Sequence, residues 1–221
     1  MRSSYLPAFT LLASSLAVGC VPSAYEGGTP ITDFDLVEPA PVEPPAPIED
    51  VPDGVNDFLT SDDVADLESV GMTLYAGDDP PDIEGEYILD SLRVEYDDVS
   101  GAIGLPINEA LLAFTNQTAA GDVDQSLLEP NASGAGSGGF VSGEGECFTV
   151  WINFLGYAEH DECNYVMPQV FSGCVNDSGI SGLQFGYVMK SVDGPCWETV
   201  VPGHRRVMDE VDGLALRVES T

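Results

Sequence analysis

Between residues 92 and 218 apolar and polar side chains alternate with a period of two. Leu92, Val94 and Tyr96 alternate with Arg93 and Glu95, Leu112, Phe114 and Asn116 form a second run, and Phe140 sits between glycine clusters in a third. The clearest run sets Phe148, Val150, Ile152 and Phe154 against Thr149, Trp151 and Asn153. Residues 165–175, then Leu183, Phe185, Tyr187 and Met189, continue the series, and residues 197–201, 206–208 and 214–218 close it. Period two places successive side chains on opposite faces of a strand. Turn signals separate the runs at Asp122, at Asn131-Ala132-Ser133-Gly134, at Asn176-Asp177-Ser178-Gly179, at Asp193-Gly194 and at Asp212-Gly213. Eight or so short strands at hairpin spacing, with no helix between them, predict an all-β antiparallel meander over 82–221. A meander of about 140 residues fits one closed barrel or one β-sandwich. Closure is favoured because it removes exposed edges.

Ahead of the strands, in the lead-in 55–81, the period changes. Leu59, Val64, Leu67 and Val70 fall near helical spacing, Thr60 or Ser61 can cap the start, and Asp62 and Asp63 occupy the first turn. Gly71 can stop the helix. Its apolar stripe is narrow, so it must plug or flank the domain that follows. Asp78-Asp79-Pro80-Pro81-Asp82 then breaks structure. Residues 20–54 carry eight of the 16 prolines, interleaved with acids. That composition predicts a disordered, extended stalk that could reach on the order of 100 Å.

At the start, Arg2 precedes an apolar run from Tyr5 to Val18 that ends in Leu16-Ala17-Val18-Gly19-Cys20. The run is too short to span a bilayer and has the layout of an export signal. Gly19-Cys20 looks like the processing site of a bacterial lipoprotein, with 1–19 removed and Cys20 acylated. Val21 after the cysteine points to the outer membrane, by analogy with enterobacterial sorting.

Charge narrows the partners. The chain carries 38 acidic residues against 6 basic ones, and Lys190 is the one lysine. Such a chain repels phosphate, which argues against nucleic acid. Of the five cysteines, Cys20 goes to lipid and Cys147, Cys163, Cys174 and Cys196 remain for two disulfides in an exported chain. A hairpin turn near His160-Asp161 sets Cys147 opposite Cys174. A second turn at Asp177-Ser178 brings Cys163 close to Cys196. The predicted bridges are therefore Cys147–Cys174 and Cys163–Cys196.

Catalytic and metal chemistry finds little support. Glu159-His160-Asp161-Glu162-Cys163 is the densest polar cluster and reads as an exposed hairpin tip. Gly121-Asp122-Val123-Asp124-Gln125-Ser126 offers alternate oxygens but lacks the glycine and distal glutamate of a calcium loop. His204-Arg205-Arg206 is the basic cluster and is expected to pair with the protein's own acids. No G-x-S-x-G elbow occurs, and no metal or cofactor is expected. Trp151, Tyr157, Tyr165, Tyr187 and Trp197 are aromatic enough to line a pocket.

Gly71-Met72-Thr73-Leu74-Tyr75-Ala76-Gly77 and Pro80-Pro81-Asp82-Ile83-Glu84-Gly85-Glu86-Tyr87 carry a resemblance. Gly138-Gly139-Phe140-Val141-Ser142-Gly143-Glu144-Gly145 before Phe148-Thr149-Val150, then Phe171-Ser172-Gly173 and Gly179-Ile180, add to it. Over roughly residues 55–221 the chain resembles uncharacterised bacterial envelope lipoproteins with a lipocalin-like barrel. The resemblance implies a tethered barrel and supplies no catalytic residue; the extra cysteines and the acidity depart from it. The expected function is non-enzymatic: a lipid-anchored module that binds a small apolar ligand or a partner. The alternative is a structural or interaction protein of the envelope with a packed barrel. Interior volume separates the two.

Overall fold

The computed structural model describes residues 55–219 apart from 91, 160–161 and 197–199, all within the unit Glu43–Thr221. The signal segment 1–19, Cys20 and the stalk 20–54 lie outside the described residues, as do His160, Asp161 and Trp197. A 3₁₀ turn (Val55–Asp57) leads into helix α1 (Ser61–Ser69). Twelve strands follow: β1 (Asp78–Asp79), β2 (Gly85–Leu89), β3 (Leu92–Asp97), β4 (Ala110–Thr115), β5 (Asp122–Glu129), β6 (Ala132–Glu144), β7 (Cys147–Ala158), β8 (Cys163–Asn176), β9 (Gly179–Val188), β10 (Ser191–Asp193), β11 (Arg205–Glu210) and β12 (Leu214–Arg217).

From β4 to β9 each strand pairs antiparallel with the next. The remaining partners are two bent strands. β2 pairs with β4, and the same register carries on into β3 through Ile107 N–H to Leu92 O (2.8 Å) and Val94 N–H to Leu105 O (3.0 Å). β11 and β12 both pair with β9 on one side, while on the other β11 takes β3 and β12 takes β2. The first strand pair thus meets the last, and the meander closes as an eight-strand barrel, not a sandwich. β10 and β1 lie outside the ring, the latter parallel to β6.

The strand pattern departs from expectation in three places. β5 was hidden because Gln125 occupies an inward position between Val123 and Leu127, so its alternation looks broken. The run 121–126, whose alternate oxygens lack the rest of a calcium loop, opens this strand; Asp122 bonds Thr118, and Asp124 bonds Asn116 and the Gly138 N–H. The turn expected at 131–134 lies at Pro130 and Asn131, and the glycines beyond it belong to β6. Val200 and Val201 are not in a strand: the 189–204 connection folds back on itself, with Gly203 N–H on Met189 O at 2.8 Å.

Inside, one half of the barrel is filled. Phe171 and Phe185 stack at 4.5 Å, and Phe114 stands edge-on to Phe171 at 5.7 Å and to Phe148 at 6.4 Å. Residues 80–84 stop this end. Gln117 accepts from Ile83 N–H and donates to Pro81 O, Ile83 is buried, and Tyr87 donates to Ile83 O at 2.9 Å. Arg217 donates to the Tyr87 hydroxyl at 2.7 Å and lies over its ring.

Helix α1 flanks the barrel. Thr60 and Asp63 form a reciprocal capping box at 2.9 and 3.1 Å. At the other end Gly71 has φ +104°, Gly71 N–H reaches Glu68 O and Met72 N–H reaches Leu67 O, the paired bonds of a Schellman stop. The apolar stripe buries Leu59, Val64 and Leu67 against the outward-facing Trp151, Val170, Val188 and Val207. Lys190–Asp63 (2.7 Å) and Arg205–Asp66 (2.8 Å) pin the helix to the connection between β9 and β10 and to β11.

Disulfides join Cys147 to Cys174 and Cys163 to Cys196, the same pairs that the turn positions indicate. One staples each end of the barrel. Paired cysteines of this kind mark an extracytoplasmic protein. Among the described residues no helix is long and apolar enough to cross a membrane. Asp63→Ala removes both the capping box and the partner of Lys190; urea denaturation is expected to show a loss of about 1 kcal/mol with an unchanged m-value.

Candidate functional site

The end opposite Ile83 and Tyr87 is open. There the inward rows run straight across the ladders. Glu129, Ala132, Ala158 and Cys163 form the outermost row on β5 to β8, and Leu127, Gly134, Gly156 and Tyr165 form the next. Small residues decide the shape. A β-carbon on Gly156 would run into the Tyr165 ring, and one on Gly134 into Phe154. Both rings therefore lie against bare backbone. The space between them forms a cavity of about 310 Å³, floored by Phe154, Met167, Phe185, Met189 and Met208. Met167 and Met189, unbranched and polarisable, suit a floor that adapts its shape.

Polar groups gather on one wall. Deeper in the barrel, Gln169, Tyr187, Arg206 and Asp97 follow one another from β8 through β9 and β11 to β3. Arg206 Nε donates to Asp97 Oδ2 at 2.7 Å, Nη2 lies 2.6 Å from the same oxygen as an ion pair, and His204 Nε2 lies 3.1 Å from it. Asp97 Oδ1 accepts the N–H groups of Val99 and Ser100. Burial alone would raise the Asp97 pKa. The bonds from Ser100, Arg206 and Val99 outweigh it and hold the carboxyl well below the usual range. The Arg206 guanidinium lies 5.9 Å from the Tyr187 ring centre, and His204 packs edge-on to that ring at 5.5 Å. His204 is 2 % exposed.

Glu129 stands apart from this network. Its carboxylate has no hydrogen-bond partner among the described residues. Desolvation raises its pKa, offset only in part by the Arg206 charge. Burial, helped by the Glu129 charge, pushes Tyr165 up to about 12, and burial likewise raises Tyr187. Neither phenol has a hydrogen-bond partner among the described residues. Below the floor, the Gln125 and Gln169 amides are buried without a hydrogen-bond partner among the described residues. Buried polar atoms left so do not stabilise the fold.

Among the described residues of the site no nucleophile stands beside a base. Ser100 Oγ accepts from Arg206 at 3.3 Å, and His204 is turned to Asp97, beneath Tyr187. Of the aromatics expected to line a pocket, Tyr165 and Tyr187 do. Trp151 faces outward under α1, with Nε1 donating to Ser142 Oγ at 3.0 Å, and Tyr157 is exposed on the outer wall. The basic cluster pairs with the protein's own acids, as expected: Arg205 with Asp66, Arg206 and His204 with Asp97. Of the hairpin tip, Cys163 reaches the cavity and Glu159 and Glu162 are exposed. The sequence reading missed Glu129, Phe154 and the methionines. With β5 in register, Leu127 inward and Leu128 outward would have placed Glu129 inside. No family model, curated protein or solved structure matches the chain.

Two stability measurements test this electrostatic picture. The folded-state pKa of Asp97 is depressed, so its contribution is complete above the ordinary carboxylate range and is lost as pH falls below about 4. Asp97→Ala leaves Arg206 and His204 without their acid; a loss of about 3 kcal/mol is expected at pH 7, shrinking in acid. The folded-state pKa of Glu129 is raised, so wild-type stability should rise as pH falls through it. Glu129→Gln should then melt no lower than wild type at pH 7.

Proposed function

We propose that this protein binds a small, mainly apolar molecule in the open half of its barrel, and is held to the cell envelope by an acylated Cys20. The cavity carries the reading. At about 310 Å³ it falls at the lower end of ligand-sized pockets, with an apolar floor and a few polar groups on one side. The Cys163–Cys196 bridge supports it, since it fixes the 189–204 connection at the rim, where Val200 faces the cavity. The stacked phenylalanines of the other half favour the alternative, a solid barrel with a purely structural role in the envelope. On that view the open half would bind nothing.

The anchored reading rests on Gly19-Cys20 at the end of a short apolar run. A lipocalin-like envelope lipoprotein, as the sequence resemblance implies, would present such a cavity at a membrane surface. The outer membrane is the proposed location.

A neutral apolar fluorophore such as N-phenyl-1-naphthylamine should bind with one saturable site in the micromolar range. Ala158→Phe, which places a ring in the cavity from its outermost row, should abolish that binding with the fold retained by circular dichroism. Equal binding by the variant would reject the site. For the anchor, mass spectrometry of the native product should find fatty acid on Cys20, and Cys20→Ala should leave the membrane fraction.

A further inference from the structure

We propose that the cavity selects an apolar primary amine, with Glu129 as the counter-ion of its ammonium group. The inference rests on the reading of the open half as a binding site and names the ligand's chemistry.

Charge accounting inside the barrel is the first argument. Arg206 is the one cationic side chain among the described cavity residues, and Asp97 holds it at 2.6 Å. An incoming carboxylate would have to share a guanidinium that already has its acid. Glu129 has no such partner, and it would repel an anionic head. Glu129 is therefore the one acid of the cavity wall that no described basic group meets directly. An ammonium group would meet it, and a half-buried carboxylate gains most from an opposite charge brought into direct contact.

Hydrogen-bond inventory is the second argument. An ammonium carries three donors and no acceptor. The wall offers the Glu129 carboxylate and the Tyr165 and Tyr187 hydroxyl oxygens. All three are without hydrogen-bond partners among the described residues, and they lie close enough for the Glu129 charge to act on both phenols. The aromatic rings of these tyrosines add an electron-rich surface that favours cations.

The remaining wall sets the body of the ligand. Phe154, Phe185 and the three methionines are apolar, so everything beyond the amine should be hydrocarbon or aromatic. At roughly 30 Å³ for each water-sized group, the enclosed part of the cavity takes about ten non-hydrogen atoms, and a larger ring system such as the fluorophore projects through the open end. Polyamines fit poorly, because a second charge would fall on the apolar floor.

Octylamine, octanol and octanoate share nearly one size and differ in the head group. Each is titrated at pH 7 against the full chain carrying N-phenyl-1-naphthylamine, with displacement as the readout. Octylamine is expected to bind about tenfold more tightly than octanol, and octanoate more weakly than either. Glu129→Gln should remove the amine's advantage and leave octanol unchanged. Tyr165→Phe, which keeps the ring, should reduce amine affinity by a few fold. Octanol or octanoate binding as tightly as octylamine would overturn the amine assignment while leaving the cavity reading intact. Octylamine binding undiminished in Ala158→Phe would place it on the acidic surface and overturn the assignment likewise. Failure of all three, and of the fluorophore, would overturn the cavity reading and this inference with it.

Discussion

Closure of the sheet is the constraint on which the other features depend. β12 and β11 supply the missing neighbour for β2 and β3 on one side and for β9 on the other. That pairing satisfies backbone groups that would otherwise form an edge. It also turns a two-sided sheet into an inside and an outside. Once the ring exists, alternation along each strand assigns every second residue to the interior. Phe148, Val150, Ile152 and Phe154 go in; Thr149 and Trp151 go out, where α1 and the lead-in cover them. The outward aromatic is thus a docking surface for the helix, not an interior residue.

The two ends of the ring are finished differently, and the difference creates the site. At one end a loop turns inward, Ile83 is buried, and Arg217 bridges to Tyr87. Nothing there needs to move or admit a ligand. At the other end glycine replaces bulk: Gly134 and Gly156 let Phe154 and Tyr165 lie flat on the wall. Helix α1 and the Cys163–Cys196 bridge brace this end from outside. A cavity beside a braced rim can keep its shape without being filled, which a purely packed barrel would not require.

Much of this was legible in the residues, and the exceptions have physical causes. Helix caps were readable because Thr60, Asp63 and Gly71 act locally. Both disulfide pairs were readable because hairpin register follows from turn position, and the β7–β8 register sets Cys147 opposite Cys174. The strand at 122–129 was not, because a buried glutamine mimics an outward position. Nor was the cavity. Its volume depends on which large side chains face which glycines across a closed ring, and no single strand contains that information. Glu129 sits next to Pro130 at a turn and reads as one more exposed acid among 38.

The distribution of positive charge makes the same point about specificity. Every described base has a partner within the protein: Arg93 pairs with Glu95, Lys190 with Asp63, Arg205 with Asp66, Arg206 with Asp97, and Arg217 lies on Tyr87. Three of these ion pairs tie separate elements together. The outer surface is left acidic, which keeps the domain off anionic headgroups and favours cations near the mouth by long-range attraction. That field is screened by salt within about 10 Å. A carboxylate inside the cavity is screened far less, so discrimination between head groups must come from Glu129 and not from the surface that surrounds it.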